Sequence, residues 1–158
     1  MKRIVVLLFV LLSVPALSFG QTSVSSGSPN LDVTVKRAIA EGDDVIIDLL
    51  LTSRSSWKKV IFSTSLSYPS CRLYDDEGNL YQSGESSRMM FESDGKRTYW
   101  FPELVVENGI ARKMRVIVKN VDEYATEFTK AYFHYYVNGV DFVENELIIT
   151  VKNLPITR

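Results

Sequence analysis

The feature that most constrains this chain is a two-residue alternation of apolar and polar side chains, which recurs through residues 31–154. No segment keeps the 3.6-residue period of an amphipathic helix. A period of two places alternate side chains on opposite faces of a β-strand. In the segment 113–119, for example, Met114, Val116 and Val118 fall on one face, and Lys113, Arg115 and Lys119 fall on the other. The sequence therefore predicts an all-β protein.

Turn signals divide the alternating segments into short strands. The run Asp-Asp-Glu-Gly-Asn at 75–79 and the pair at 94–95, Asp-Gly, are typical of β-hairpin turns, because Gly adopts positive φ without steric cost. Segment 45–51 has apolar residues on both faces, Ile46 and Leu50 on the second, and is predicted to be a central strand covered on both sides. About eight or nine short strands separated by such turns predict an antiparallel β-sandwich. A closed barrel is the alternative, but the strands are short and irregularly spaced.

Residues 1–20 have the layout of a secretory signal peptide. Lys2 and Arg3 precede the apolar run 4–12, and small residues occupy the positions before a cleavage site that ends at Gly20. The apolar run is shorter than the roughly 20 residues that span a membrane, and no Cys follows it as a site for a lipid anchor. We therefore expect cleavage and export to the periplasm or the cell surface, or secretion. A retained N-terminal anchor helix is the alternative.

The exported chain is expected to be one domain with a short leader segment. Residues 21–30 are polar and Ser-rich and are predicted to be a disordered linker. The β-sandwich domain is then expected to span residues 31–158. Without the signal peptide, 16 Lys+Arg and 19 Asp+Glu give a formal charge of −3. Because nucleic-acid binding needs a concentrated basic face, we expect no nucleic-acid partner.

The single cysteine, Cys71, excludes an intrachain disulfide. Its alternation with Leu73 in the run CRLYD favours a buried side chain. An intermolecular disulfide is the alternative. The fold must therefore be stabilised by burial of apolar surface.

The signal peptide and the Ser-rich stretch are followed by the segments LLLTSRSSWKKV, LYDDEGNLY and YWFPELVVENG, the last leading into KMRVIVKNV. This combination resembles small secreted bacterial immunoglobulin-like domains of unknown function. The resemblance covers most of residues 31–154 and implies a β-sandwich and an exported protein. It implies no catalytic residue. The Cys, Trp, Cys pattern of antibody domains is absent from the sequence, so only the architecture is carried over.

The segment KAYFHYYVNG, residues 130–139, contains four aromatic residues and the only histidine of the chain. In an extended strand its residues divide into a core face and an amphipathic face. Tyr and His combine an apolar ring with a polar tip, which suits the binding of sugars or peptides. The alternative is an ordinary solvated strand face. The predicted core face comprises Ala131, Phe133, Tyr135 and Val137, and the amphipathic face comprises Lys130, Tyr132, His134 and Tyr136.

Two tryptophans receive different predictions. Trp57 lies in the polar loop SRSSWKK and is a candidate contact residue, because loops at the end of a sandwich often carry recognition. The alternative is that Trp57 folds back and covers the end of the sandwich. Trp100, between two other aromatic residues, is expected in the core.

Catalytic and metal-binding patterns are not recognisable in the sequence. His134 has no G-x-S-x-G nucleophile motif to act upon, and no feature near Cys71 suggests an activated thiol. The acidic run 75–79 has oxygen ligands for calcium but lacks the EF-hand spacing, and a plain turn uses the same residues. No catalytic residue, metal site or cofactor is therefore predicted.

We hypothesise that the protein is an exported, non-enzymatic binding or interaction module of the bacterial cell envelope. Its partner would be an envelope protein or a glycan. The predicted binding residues are Trp57, Tyr132, His134 and Tyr136. The alternatives are a structural subunit of a surface assembly, and a carbohydrate-processing accessory protein or hydrolase whose site is not recognised.

Overall fold

The computed structural model describes residues 20–56, 59–64, 70–84, 88–137 and 147–158. These residues contain twelve β-strands and no helix. The strands are β1 (Ser23–Ser25), β2 (Leu31–Glu41), β3 (Asp44–Ser53), β4 (Lys59–Phe62), β5 (Arg72–Asp75), β6 (Leu80–Gln82), β7 (Met89–Ser93), β8 (Lys96–Thr98), β9 (Glu103–Val105), β10 (Ala111–Val118), β11 (Glu127–Val137) and β12 (Leu147–Pro155).

The strands form two antiparallel sheets. The seven-stranded sheet has the order β1-β12-β11-β4-β9, and the hairpin of β5 and β6 also joins it through β11. β12 pairs along one edge of β11. The other edge of β11 is shared by two strands: β4 pairs with residues 135–137, and β5 pairs with residues 128–132. The five-stranded sheet has the order β2-β3-β10-β7-β8. The predicted all-β architecture of antiparallel strands is confirmed.

The two sheets enclose one apolar core, as a β-sandwich requires. The ring of Phe62 on β4 stacks on the ring of Phe91 on β7 with centroids 5.6 Å apart, and it also contacts Tyr135 on β11. Each fully buried aromatic or aliphatic side chain stabilises the fold by about 1.5–3 kcal/mol. The predicted inward faces of β10 and β11 are confirmed. Their buried residues include Met114, Val116, Val118, Ala131, Phe133, Tyr135 and Val137.

The predicted number of strands is wrong. Eight or nine were expected, whereas the described residues contain twelve. Four of these strands, β1, β6, β8 and β9, have only three residues each. A strand of three residues is too short to show a recognisable alternation.

The prediction of a disordered linker at 21–30 is wrong for Ser23–Ser25. These residues form β1 and pair with residues 150–152 of β12. The hydroxyl of Thr22 also donates to the carbonyl of Asn153 at 2.8 Å. A strand of polar residues at a sheet edge is held by backbone hydrogen bonds, which the side-chain pattern does not reveal.

The outer face of the five-stranded sheet carries a charged ladder, with one residue from each strand. Arg37, Asp48, Arg115, Glu92 and Arg97 lie opposite one another in consecutive register from β2 to β8. The distances between adjacent charged atoms are 2.6, 2.9, 3.5 and 2.6 Å in that order. Cross-strand pairs of opposite charge therefore connect the whole sheet.

A small apolar cluster lies beside this ladder on the same outer face. It consists of Ile46, Ile117 and Met90, which oppose one another on β3, β10 and β7. β3 itself lies between β2 and β10. The prediction that segment 45–51 is a central strand is confirmed. The expected cover on both sides is wrong for the described residues, because every described strand belongs to one of the two sheets and none packs on the outer face of β3.

The two sides of the sandwich, where the sheet edges lie, differ in how the edge strands are joined. On one side Thr157 exchanges backbone hydrogen bonds of 2.9 Å with Ala38 and Ala40, so the segment after β12 joins the edge of β2. On the other side β8 and β9 are the terminal strands of their sheets, and residues 99–102 connect them. The hydroxyl of Ser93 on β7 donates to the carbonyl of Glu103 on β9 at 2.8 Å, which brings these two edges together.

The predicted signal peptide lies outside the described residues, except for Gly20, and stays a prediction. Within the described part of the chain, no helix has the length and apolar character needed to cross a membrane.

Candidate binding surface at strand β9

The connection between β8 and β9 displays three consecutive aromatic residues, which we call the aromatic turn (Tyr99–Phe101). Their exposed fractions are 38% for Tyr99, 51% for Trp100 and 44% for Phe101. The expectation that Trp100 is in the core is wrong. The segment crosses from one sheet to the other at the side of the sandwich, so its side chains do not reach the space between the sheets. Residue type alone predicted burial.

Hydrogen bonds fix the backbone of the aromatic turn at both ends. The hydroxyl of Thr98 accepts from the amide of Trp100 and donates to its carbonyl, both at 3.0 Å. The amide of Phe101 donates to the hydroxyl of the buried Thr64 at 2.9 Å. The amide of Phe62 donates to the carbonyl of Pro102 at 3.0 Å. The turn is therefore anchored on the end of β4.

Phe101 has an unfavourable backbone conformation. Its φ is +39°, in the left-handed region that bulky side chains rarely adopt. Such a residue costs on the order of 1–3 kcal/mol and persists only where its surroundings impose it. A Gly at this position would avoid the cost but would display no ring. Strain of this kind is concentrated at functional sites, which motivates a functional interpretation of the turn.

The strand after the turn alternates cleanly between the core and the outer face. Phe101, Glu103 and Val105 are exposed, whereas the intervening residues are buried. Glu103 lies opposite Ile61, and Val105 lies opposite Lys59, on β4. The ammonium of Lys59 is 2.7 Å from the carboxylate of Glu103. An aromatic side chain, Phe101, and an aliphatic side chain, Val105, thus flank the member of the ion pair that lies on β9.

The next strand of the sheet adds Tyr136 to this surface. Tyr136 on β11 lies opposite Ile61, so Tyr136, Ile61 and Glu103 form one row across three neighbouring strands. Burial, together with the charge of Glu103, raises the pKa of the Tyr136 phenol. The phenol therefore stays protonated and neutral at physiological pH. We define the β9 surface as Tyr99, Trp100, Phe101, Glu103, Val105, Lys59, Ile61 and Tyr136.

The other predicted binding residues are distributed differently. Tyr132 is half-buried and lies on the same outer face as Tyr136, four residues before it on β11. His134, between them, is only 8% exposed, so its side chain offers little surface to a ligand. Trp57 lies outside the described residues. The structure thus places Tyr136 in one row with Ile61 and Glu103 and leaves His134 buried.

The thiol of Cys71 is fully buried, which confirms the prediction of a buried side chain. Its Sγ donates to the carbonyls of Ser63 and His134 at 3.3 and 3.7 Å. Burial raises the pKa of Cys71 to about 12. Because the thiolate is the nucleophilic form, this thiol is unreactive at neutral pH.

The acidic turn at 75–79 uses its carboxylates within the fold. The carboxylate of Asp75 accepts hydrogen bonds from the backbone and side-chain amides of Asn79 and from the hydroxyl of Tyr81, at 2.7, 2.9 and 2.8 Å. The carboxylate of Asp76 accepts from Thr126 and from the amide of Glu127. Across the described ranges, no group of three or more His, Cys, Asp or Glu side chains is placed to hold a metal ion.

Sequence reasoning missed most of the β9 surface. Only Tyr136 of this surface is among the predicted binding residues, although residues 101–107 alternate between exposed and buried positions. Neither a protein-family model nor a curated protein sequence matches the chain. The function must therefore be inferred from the surface itself.

Proposed function

We propose that the protein is a non-enzymatic binding module of the bacterial cell envelope and that it binds its partner through the β9 surface. The observation that carries this proposal is the concentration of exposed apolar side chains. Four of the eight exposed large hydrophobic residues of the described chain belong to the β9 surface. Scattered apolar residues are normal on a surface, but a concentrated group marks an interaction site. The four are Tyr99, Trp100, Phe101 and Val105.

The rigidity of the aromatic turn supports the same proposal. Two threonine hydroxyls, those of Thr98 and Thr64, hold the turn in place, and Phe101 keeps a strained φ there. A binding group that is already ordered loses less conformational entropy when its partner arrives. The turn is therefore suited to recognition.

Export and the immunoglobulin-like topology belong to the proposal too. Export is supported by the sequence of residues 1–20, and the topology by the resemblance of segments within 31–154. A non-enzymatic role is supported by the positions of the two most reactive side-chain types in the chain. The thiol of Cys71 is buried, and the ring of His134 is nearly so.

The test is capture from an envelope extract by the chain that begins at Gln21. Trp100→Ala removes the most exposed ring of the turn, and Leu80→Ala is the matched control, because Leu80 is an exposed hydrophobic residue outside the β9 surface. We expect the wild type and Leu80→Ala to retain the same envelope component and Trp100→Ala to lose it. Equal capture by all three proteins would contradict the proposal.

A structural subunit of a surface assembly is a second candidate function. The terminal strands β8 and β9 lie at the same side of the sandwich and could pair with another chain. Sedimentation that shows a strict monomer at all concentrations would count against this candidate.

A further inference from the structure

We infer that the ligand of the β9 surface is a neutral oligosaccharide, whose sugar rings stack on the aromatic turn while their hydroxyls bind the ion pair beside it. This inference rests on the proposed function and names the ligand class for the same surface.

The exposed apolar area is smaller than the apolar part of a standard protein interface. An aromatic side chain has about 150–250 Å² of surface, and the three rings of the turn are 38–51% exposed. With Val105, they present on the order of 350 Å². One side of a standard protein interface buries about 800 Å², of which on the order of 450 Å² is apolar. A surface of this size instead matches a short chain of sugar rings.

The charges at the surface balance, which argues against an anionic or cationic ligand. Lys59 is paired with Glu103 at 2.7 Å. Tyr136 contributes a neutral phenol. A charged polymer would have to break the Lys59–Glu103 pair to gain a partner, whereas a neutral ligand leaves it intact.

The polar groups on the surface match the hydroxyls of a sugar. A sugar hydroxyl both donates and accepts, and the faces of its ring are lined with apolar C–H groups. The ammonium of Lys59 donates, and the carboxylate of Glu103 accepts. Along the exposed face of β9, Glu103 lies between Phe101 and Val105, and Lys59 lies opposite Val105. Stacking and hydrogen bonding are therefore available side by side to one ligand.

The experiment uses the chain from Gln21 with Trp57→Phe, so that the indole of Trp100 gives the only tryptophan side-chain NMR signal. The probes are cellotetraose, maltotetraose and the tetramer of N-acetylglucosamine, each titrated to about 10 mM. We expect at least one probe to shift the indole signal saturably, with a dissociation constant of about 1 mM or tighter. In calorimetry, the wild type should bind the same probe.

Three variants locate the binding site in the same calorimetric assay. Trp100→Ala should weaken binding at least tenfold, because the largest stacking face is lost. Glu103→Gln should weaken binding severalfold, because an ionised acceptor is replaced by an amide. Leu80→Ala should bind as the wild type does.

Failure of the inference can be separated from failure of the proposed function. If no tetrasaccharide shifts the indole signal, or if polygalacturonate binds and is released by salt, the neutral-glycan inference is overturned. A dimer that Trp100→Ala dissociates would overturn it in favour of a second copy of the chain. In each case, loss of envelope capture by Trp100→Ala would leave the proposed function standing. Unchanged capture by that variant would overturn both.

Discussion

Arg115 and Asp48 lie directly opposite each other on β10 and β3, and Nε of Arg115 donates to Oδ1 of Asp48 at 2.9 Å. The second carboxylate oxygen accepts from Nε of Arg37 on β2 at 2.6 Å. The Asp48 side chain is 7% exposed, whereas both arginines reach solvent. A buried carboxylate thus joins three strands of the sheet through two guanidinium groups.

Asp48 should make the stability of the protein dependent on pH in the acid range. Burial acts to raise the pKa of Asp48, but the hydrogen bonds from Arg115 and Arg37 outweigh it and hold the pKa below its ordinary value. The stabilisation is therefore complete above the unfolded-state pKa of about 3.9 and is lost as the pH falls through the lower folded value. Asp48→Asn should remove this dependence and should cost about 2 kcal/mol at neutral pH.

The measurement is urea unfolding of both proteins at neutral pH and in steps through the acid range. Asp32→Asn is the matched control, because Asp32 pairs with Arg54 at 2.6 Å but is exposed. It should change stability by less than about 1 kcal/mol. Parallel pH curves for the wild type and Asp48→Asn would show that the pKa of Asp48 is not lowered in the folded state.

Phe101→Gly should separate stability from binding. Gly adopts the φ of +39° without the steric cost that Phe101 incurs. We expect the variant to be as stable as the wild type or more so by about 1 kcal/mol, even though a large side chain is lost. Capture of the envelope component should nevertheless weaken.

The control for this prediction is Tyr99→Gly, because Tyr99 is not among the residues with positive φ. That variant should lose about 0.5–1 kcal/mol of stability from the greater backbone freedom of the unfolded chain. Thermal unfolding compares the three proteins. If Phe101→Gly is destabilised as much as Tyr99→Gly, the backbone at Phe101 is not strained.

Glu103→Gln should lower the pKa of Tyr136. Burial raises that pKa, and the negative charge of Glu103 raises it further, because phenolate would be repelled. Removing the charge leaves only the effect of burial. The measurement is an alkaline NMR titration of protein with isotope-labelled tyrosine, in which Tyr136→Phe identifies the signal. An unchanged pKa would mean that the two side chains are too far apart to interact.

The thiol of Cys71 should react with a thiol reagent only when the protein unfolds. Burial raises the pKa of Cys71 to about 12, and the side chain is inaccessible. A disulfide-exchange reagent should therefore give no colour with native protein at neutral pH and one equivalent in denaturing guanidinium. Rapid reaction of the native protein would place Cys71 at the surface and revive the alternative of an intermolecular disulfide.

The sequence predicted the parts of the fold that depend on long alternating runs. Met114, Val116 and Val118 recur at every second position of β10, and all three are buried as expected. Such a run predicts a strand and its inward face, because successive side chains of a strand always point to opposite faces of the sheet. The pairing of strands does not follow from it, so neither β1 nor the joining of Thr157 to β2 could be anticipated.

The binding surface was less predictable because it depends on where chain segments meet. Tyr136 was proposed from the pattern of its own strand, but its neighbours Ile61 and Glu103 come from two other strands. Trp100 was expected in the core because large aromatic residues are mostly buried. Its exposure follows from the crossing of residues 99–102 between two sheet edges, which no local pattern records.

The hydrogen bonds between Thr157 and the edge of β2 have a consequence for the order of folding. Ala38 and Ala40 are near the beginning of the described chain, and Thr157 is almost at its end. Because Thr157 follows Ala40 by more than one hundred residues, this edge of the five-stranded sheet stays open until the segment after β12 is in place. Contacts between such distant residues also slow folding, because a long loop must close first. An open strand edge is a template for aggregation, so the folding chain is most vulnerable in the interval before this segment pairs with β2.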